Sequence, residues 1–418
     1  MKYIVNNINK KSQIIFFFLI FYGLSFSIFL KELNLIFLKN FDLEFIVIYR
    51  LLIIIFSFAL LYPAKYKINF LVLLLIFLNL IFIYNSFFGE KIQFSLDSKT
   101  FYNNINISYE NIDEFFNSKN KIFLINFFNI LLPLIALMLY KKSNFKIEEF
   151  KNKSLKICNF FLYLIFFFLI YKFVLIKLQF IKYSEAFINI HSLIYILNIH
   201  FLLIIDLVKK NKINLNYQNI TNIILIISCL FLSGTSIHFF ICLLTLIFYF
   251  YKKIKFLYFL SIMFILLILI SFNELFYFKN EQLISIFDYF EPGTLANSVY
   301  VRIMNINYFL FYSENVNILL GNNIFVDNVY TYPHNIFVDI YICTGLVGIV
   351  IITLILLNFI LKFKNENKEN LFILILVIQL FIFSNLSGFF FTNIIFNIAL
   401  AAIFCFLKEK DSIIKTNS

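Results

Sequence analysis

The chain has 418 residues, 62% of them hydrophobic and 14% charged, with a formal net charge of +12. A soluble domain is nearer half apolar and a quarter charged, so a soluble globular protein is excluded. Lys and Arg gather on the cytoplasmic side of membrane spans, so the positive charge is read as topology, with no nucleic-acid partner. The predicted fold is an all-α integral membrane protein, one polytopic domain over residues 1–418.

A helix needs about 20 mostly apolar residues to cross the hydrocarbon layer. In chain order the first such segment is 14–30, behind the basic stretch MKYIVNNINKKSQ. It resembles a signal peptide, but no small-residue cleavage site follows, which predicts an uncleaved first span. Spans at 43–62 and 68–84 come next, then a large loop at 85–120 and a fourth span at 121–140. The basic run KKSNFKIEEFKNKSLK separates it from spans at 157–176 and 187–208. Spans 219–233 and 236–251 are joined by SGTS, where Gly234 permits a tight turn. A ninth span at 256–272 leads into a second large loop, 273–334, and the last three spans are 335–361, 371–386 and 391–407.

That makes twelve predicted spans. With the N-terminus inside, the cytoplasmic segments carry 23 basic residues and the outer segments 11, which places both termini in the cytoplasm. Both large loops then lie outside, the periplasm if the cell is a Gram-negative bacterium. No ATP or nucleotide-sugar is supplied there, so a transfer reaction must use a donor carried on the membrane.

Polar chemistry concentrates in those loops and at the adjoining helix ends. In TYPHNIFVDIYICTGLVG, Pro333 and Asn335 read as a helix start, which sets His334 at the positive end of the helix dipole and keeps its imidazole available as a base. The bland alternative is a surface histidine in a capping segment. Arginine is the second signal: the chain has 33 Lys and only 2 Arg, Arg50 and Arg302. Arg grips phosphate through a rigid two-pronged fork where Lys is a point charge, so Arg302 is the candidate for an anionic leaving group. Arg50 lies inside a span, where a charge marks a functional site, or else it snorkels or pairs with Glu44 or Asp42. His191, His200 and His238 read as hydrogen-bonded packing groups. Cys158, Cys229, Cys242, Cys343 and Cys405 show no metal-ligand spacing, and there is no Gly-rich phosphate loop or D-x-D pattern. No metal and no cofactor is expected.

Arg302, then Gly321, then His334-Asn335-x-Phe337, then Gly345 and Gly348 in the following span resemble the bacterial O-antigen polymerase and O-antigen ligase family. The likeness is best over residues 219–361 and rests elsewhere on topology. It implies a GT-C-like membrane glycosyltransferase in the inner membrane. The donor is a glycan on undecaprenyl diphosphate, and the acceptor is a hydroxyl of another glycan or of lipid A-core. In these roles His334 is the general base and Arg302 neutralises the departing diphosphate. Asn335 orients the imidazole or caps the helix, and Gly345 and Gly348, three apart on one helical face, allow close packing. The family often has an acid where Cys343 stands and an arginine after the SGTS turn, where Ile237 and His238 follow; His238, Arg50 or Lys279 is the substitute cation. Polymerase is preferred slightly to ligase because the second loop is modest, and a chain-length regulator is left open as a partner. The rival class is a transporter or flippase for lipid-linked sugars, disfavoured by 8 Gly, 4 Pro and charges kept in loops.

Overall fold

The computed structural model describes residues 12, 14–37, 45–61, 69–96, 100–101, 119–138, 147–178, 190–210, 216–233, 236–250, 298–325, 333, 335–364, 371–385 and 389–406. The helices are α1 (Leu24–Phe37, entered through a π turn Leu19–Gly23), α2 (Phe45–Leu61), α3 (Phe70–Phe88), α4 (Lys119–Asn126), α5 (Leu132–Met138), α6 (Ile147–Lys177) and α7 (Ile190–Lys209). They continue as α8 (Tyr217–Ser233), α9 (Ser236–Phe250), α10 (Ser298–Phe311), α11 (Ile336–Lys364), α12 (Leu371–Ser384) and α13 (Ile394–Phe406). A 3₁₀ turn at Phe390–Thr392 precedes α13. Each predicted span falls on a helix except 256–272, which lies outside the described residues. Four stretches are long and apolar enough to cross a membrane by length and composition: Ile14–Leu33, Phe70–Phe88, Phe150–Leu175 and Ile336–Leu361. Six shorter apolar helices accompany them.

The helices are apolar on both faces, which is how a helix between protein and lipid must be built. On α3, Leu71, Leu75, Leu78 and Phe82 are buried while Phe70, Leu73, Phe77, Leu80, Tyr84 and Phe88 are exposed at helical spacing. On α11 the exposed row is Leu346, Val350, Leu354 and Leu357. Side chains of this kind standing outward exclude water as the surrounding medium.

Helix α7 is the hub, packed by α1, α6, α8, α9 and α12, with its side chains from Leu193 to Leu207 buried. α4 and α5 are one rod interrupted by a π turn at Phe127–Leu131, where the N–H of Leu132 reaches the carbonyl of Phe127. Pro133 explains the interruption, since it has no N–H to return to Asn129 one turn earlier.

The two large loops meet. After α3, strand β1 (Gln93–Phe94) pairs antiparallel with β2 (Ser313–Glu314), which follows α10. The Tyr308 hydroxyl of α10 donates to the Leu96 carbonyl at 2.9 Å and its ring stacks on Phe94 at 4.7 Å. Segments expected on the same side of the membrane also meet at the opposite end. There Asn69, before α3, contacts Cys405 of α13, and Cys405 donates to the Leu137 carbonyl of α5.

Candidate functional site

The mouth of α11 is built by asparagines. The Asn335 side chain accepts from the N–H of Phe337 at 3.0 Å and of Val338 at 3.2 Å, and its carbonyl accepts from Asp339 N at 2.8 Å. The Ile336 N–H is taken by the Asn385 side chain at the end of α12, at 3.1 Å. The N–H groups of the first three helical residues, which a helix start leaves open, are therefore used within the protein. Asn335 caps the helix, one of its two expected roles. Pro333 is buried beside it, and His334 between them lies outside the described residues.

Asp339, which the reading of the sequence did not single out, is 1% exposed in the first turn of α11. Its Oδ2 accepts from the Phe390 N–H at 2.9 Å, pinning the α12–α13 connection to the helix start, and its Oδ1 has no partner. Among the described residues no cation pairs with it, whereas the buried Asp206 has Lys151. The available signal was a lone acid four positions after the N-cap of an otherwise uncharged span. Beneath it Phe82, Phe389 and Phe391 form an aromatic floor, with Phe82 stacked on Phe391 at 4.2 Å.

Farther along, α11 is broken. Gly345 has φ 63° and ψ −159°, a region open in practice only to glycine. The loop 317–323 from beside β2 fits into the break. Asn322 N donates to the Ile342 carbonyl at 2.8 Å, and Leu346 N and Val347 N donate to the carbonyls of Ile318 and Leu319 at 2.8 and 3.2 Å. The Asn85 side chain of α3 closes the seam by donating to the carbonyls of Leu320 and Cys343. A Cβ on Gly345 would meet the backbone of Leu319 and Leu320, and one on Gly321 (φ 77°) would meet that of Cys343 and Thr344. The close approach expected of Gly345 thus occurs against a loop backbone, on an interrupted helix. Gly348 instead leaves room for the Thr344 side chain, whose hydroxyl turns back to the Ile340 carbonyl at 2.6 Å.

Arg302 sits on α10, which packs against α11; the backbone is described there and its side chain is not. The structure thus brings together the two segments that carry Arg302 and the His334 motif, while the separation of the two groups lies outside the described residues. Lys279 and Gly234 also lie outside them. Arg50 lies in the second turn of α2, half-buried, beside the buried Tyr49; Glu44 and Asp42 are outside the described residues. His238 is fully buried on α9, its Nδ1 accepting from the Asn198 amide at 2.7 Å with Phe383 beside the ring. His200 donates from Nε2 to Asn159 Oδ1 at 2.7 Å. Both are the hydrogen-bonded packing groups expected of histidines inside spans.

Charges do not all stay in loops. Lys151 and Asp206, both 0% exposed, pair at 2.7 Å between α6 and α7, with the Tyr249 hydroxyl donating to the same carboxylate at 2.6 Å. The Lys151 ammonium also stands 4.4 Å from the Phe372 ring centre. Lys172 and Glu32 join α6 to α1 at 3.1 Å. Among the described residues no group of three His, Cys, Asp or Glu is placed to hold a metal ion. Comparison with protein-family models, with curated proteins and with solved structures finds no match.

Proposed function

We propose that the protein transfers a glycan from undecaprenyl diphosphate to a sugar hydroxyl at the outer face of a bacterial inner membrane, as an O-antigen polymerase or ligase does. Twelve crossings, a GT-C-like arrangement and cytoplasmic termini belong to the same proposal. The observation that carries it is the packing of α10, with Arg302, against α11, which opens directly after His334. Because the N–H groups of Ile336, Phe337 and Val338 at the mouth of α11 are taken up by Asn335 and Asn385, the charge of a departing diphosphate falls to side chains. That is the task a guanidinium fork suits.

In the reaction the acceptor oxygen bonds to the anomeric carbon as the bond to the diphosphate breaks, the lipid leaving with the electron pair. His334 takes the hydroxyl proton, a contribution typically of about 10²–10⁴-fold. His334→Ala and Arg302→Ala are each expected to abolish surface glycan at undiminished protein level, and Arg302→Lys to restore little of it. Full glycan in both alanine variants rejects the reading. Deletion that leaves core capped by one repeat unit identifies a polymerase; bare core with accumulated lipid-linked polymer identifies a ligase.

The break at Gly345 favours a second reading. Interrupted spans and buried charges are features of transporters, and both are present here. Purified protein in liposomes that moves a lipid-linked sugar across the bilayer without joining it to an acceptor supports this alternative.

A further inference from the structure

The tip of the loop 317–323 turns apolar side chains outward. Ile318, Leu319 and Leu320 follow one another and all are exposed, Leu319 at 64%. A loop in water does the reverse, with polar side chains and a backbone left to the solvent. Here the backbone is bonded inward. The N–H groups of Leu319 and Leu320 go to the Asn317 side chain, that of Gly321 to the Asn317 carbonyl, and those of Asn322 and Asn323 to the carbonyls of Ile342 and Glu90. The carbonyls of Ile318, Leu319 and Leu320 accept from Leu346 N, Val347 N and the Asn85 side chain. Apolar side chains turned out from a backbone that is bonded inward meet the condition for standing in hydrocarbon.

The depth of the tip follows from the two spans that hold it. Each has a basic residue near its inner end in the sequence, Lys67 before Phe70 and Lys362 after Leu361, and such residues mark the cytoplasmic edge. Asn85 stands fifteen residues after Phe70, and Leu346 fifteen before Leu361. At about 1.5 Å per residue both lie about 22 Å from the inner edge of a hydrocarbon layer about 30 Å thick. Tilt shortens the climb and sets them deeper. Leu346 is also the first of the exposed row Leu346, Val350, Leu354 and Leu357 on α11, and Tyr84, Phe87 and Phe88 are exposed at the same end of α3. The tip continues that apolar surface.

We infer that the loop 317–323 is seated in the bilayer, with Leu319 and Leu320 among the acyl chains of the leaflet on the loop side, the outer one in the proposed orientation. Ile318 is the rim of the loop, where aqueous reagents still reach it. The break at Gly345 belongs to the same arrangement. The backbone groups it frees lie below the headgroups, where water does not serve them, and the tip and Asn85 take them up. The inference holds whether the protein transfers a glycan or transports one.

The chain contains no Trp, so a tryptophan placed in the tip reports alone. Leu319→Trp is measured in the purified full chain, reconstituted in phosphatidylcholine vesicles. It is expected to lose most of its emission when the lipid is brominated in the upper part of its acyl chains, and little to iodide present on both sides of the vesicle. Phe77→Trp, on the exposed side of α3, is the reference for a lipid-facing position. Iodide as the stronger quencher puts the tip in water and overturns the inference. Emission that neither reagent reaches puts the tip under protein, from a second copy or another segment, and also overturns it. Should Leu319→Trp fail to fold, Leu320→Trp is read in the same way.

Discussion

At the scale of single residues, glycine and asparagine act where the sequence shows only abundance. Gly345 holds a conformation closed to other residues and has loop backbone where a Cβ would go. Gly345→Ala is expected to cost about 2 kcal/mol or more, read as a lowered midpoint of thermal unfolding in detergent, and Gly348→Ala to displace Thr344 without opening the seam. Asn85 serves two carbonyls from different segments. Asn85→Leu leaves the buried Cys343 carbonyl unpaired, at about 1–3 kcal/mol, measured by the same unfolding midpoint. The asparagines could be counted in the sequence, but the partners of Asn85 lie more than two hundred residues away and no local pattern announces them. Asp339 gives the converse case: the sequence shows a lone acid in the first turn of an apolar span, and only the fold shows it buried and bonded to the Phe390 N–H.

Between elements, the joints are polar and the surfaces apolar. In lipid the hydrophobic effect gives helices little reason to prefer one another over acyl chains, so hydrogen bonds and ion pairs carry specificity. The pair Lys151–Asp206 ties α6 to α7, Tyr249 brings in α9 and Phe372 brings in α12. Lys151→Met leaves the buried Asp206 only the longer pair to Lys210 at 3.6 Å, so it is expected to cost up to about 3–5 kcal/mol and Lys151→Met with Asp206→Leu to recover most of it. A double variant no more stable than the single one would contradict this account. The sequence placed Asp206 inside a span and Lys151 in a basic loop; their meeting depends on where α6 begins, three turns before its apolar stretch was expected.

For the whole molecule, two ends are distinguishable. Lys151, Asp206 and Lys209 mark one, and the joined loops with β1, β2 and the mouth of α11 mark the other. The proposed orientation puts the second end outside. A cysteine at Ile318, which is 57% exposed, is expected to react with a membrane-impermeant maleimide on intact cells, and one at Lys153 only after permeabilisation. The reverse pattern would invert the molecule and remove His334 from the side where lipid-linked glycans are polymerised. Composition alone determined that the chain is helical and apolar on every face, because a run of about 20 apolar residues has few other ways to satisfy its backbone in lipid. Tertiary structure decided that the two large loops join, that α11 is interrupted and re-bonded by one of them, and that Asp339 in its first turn is buried and pins the α12–α13 connection. Each of these depends on backbone groups meeting across long stretches of chain, and hydrophobic periodicity carries no record of such meetings.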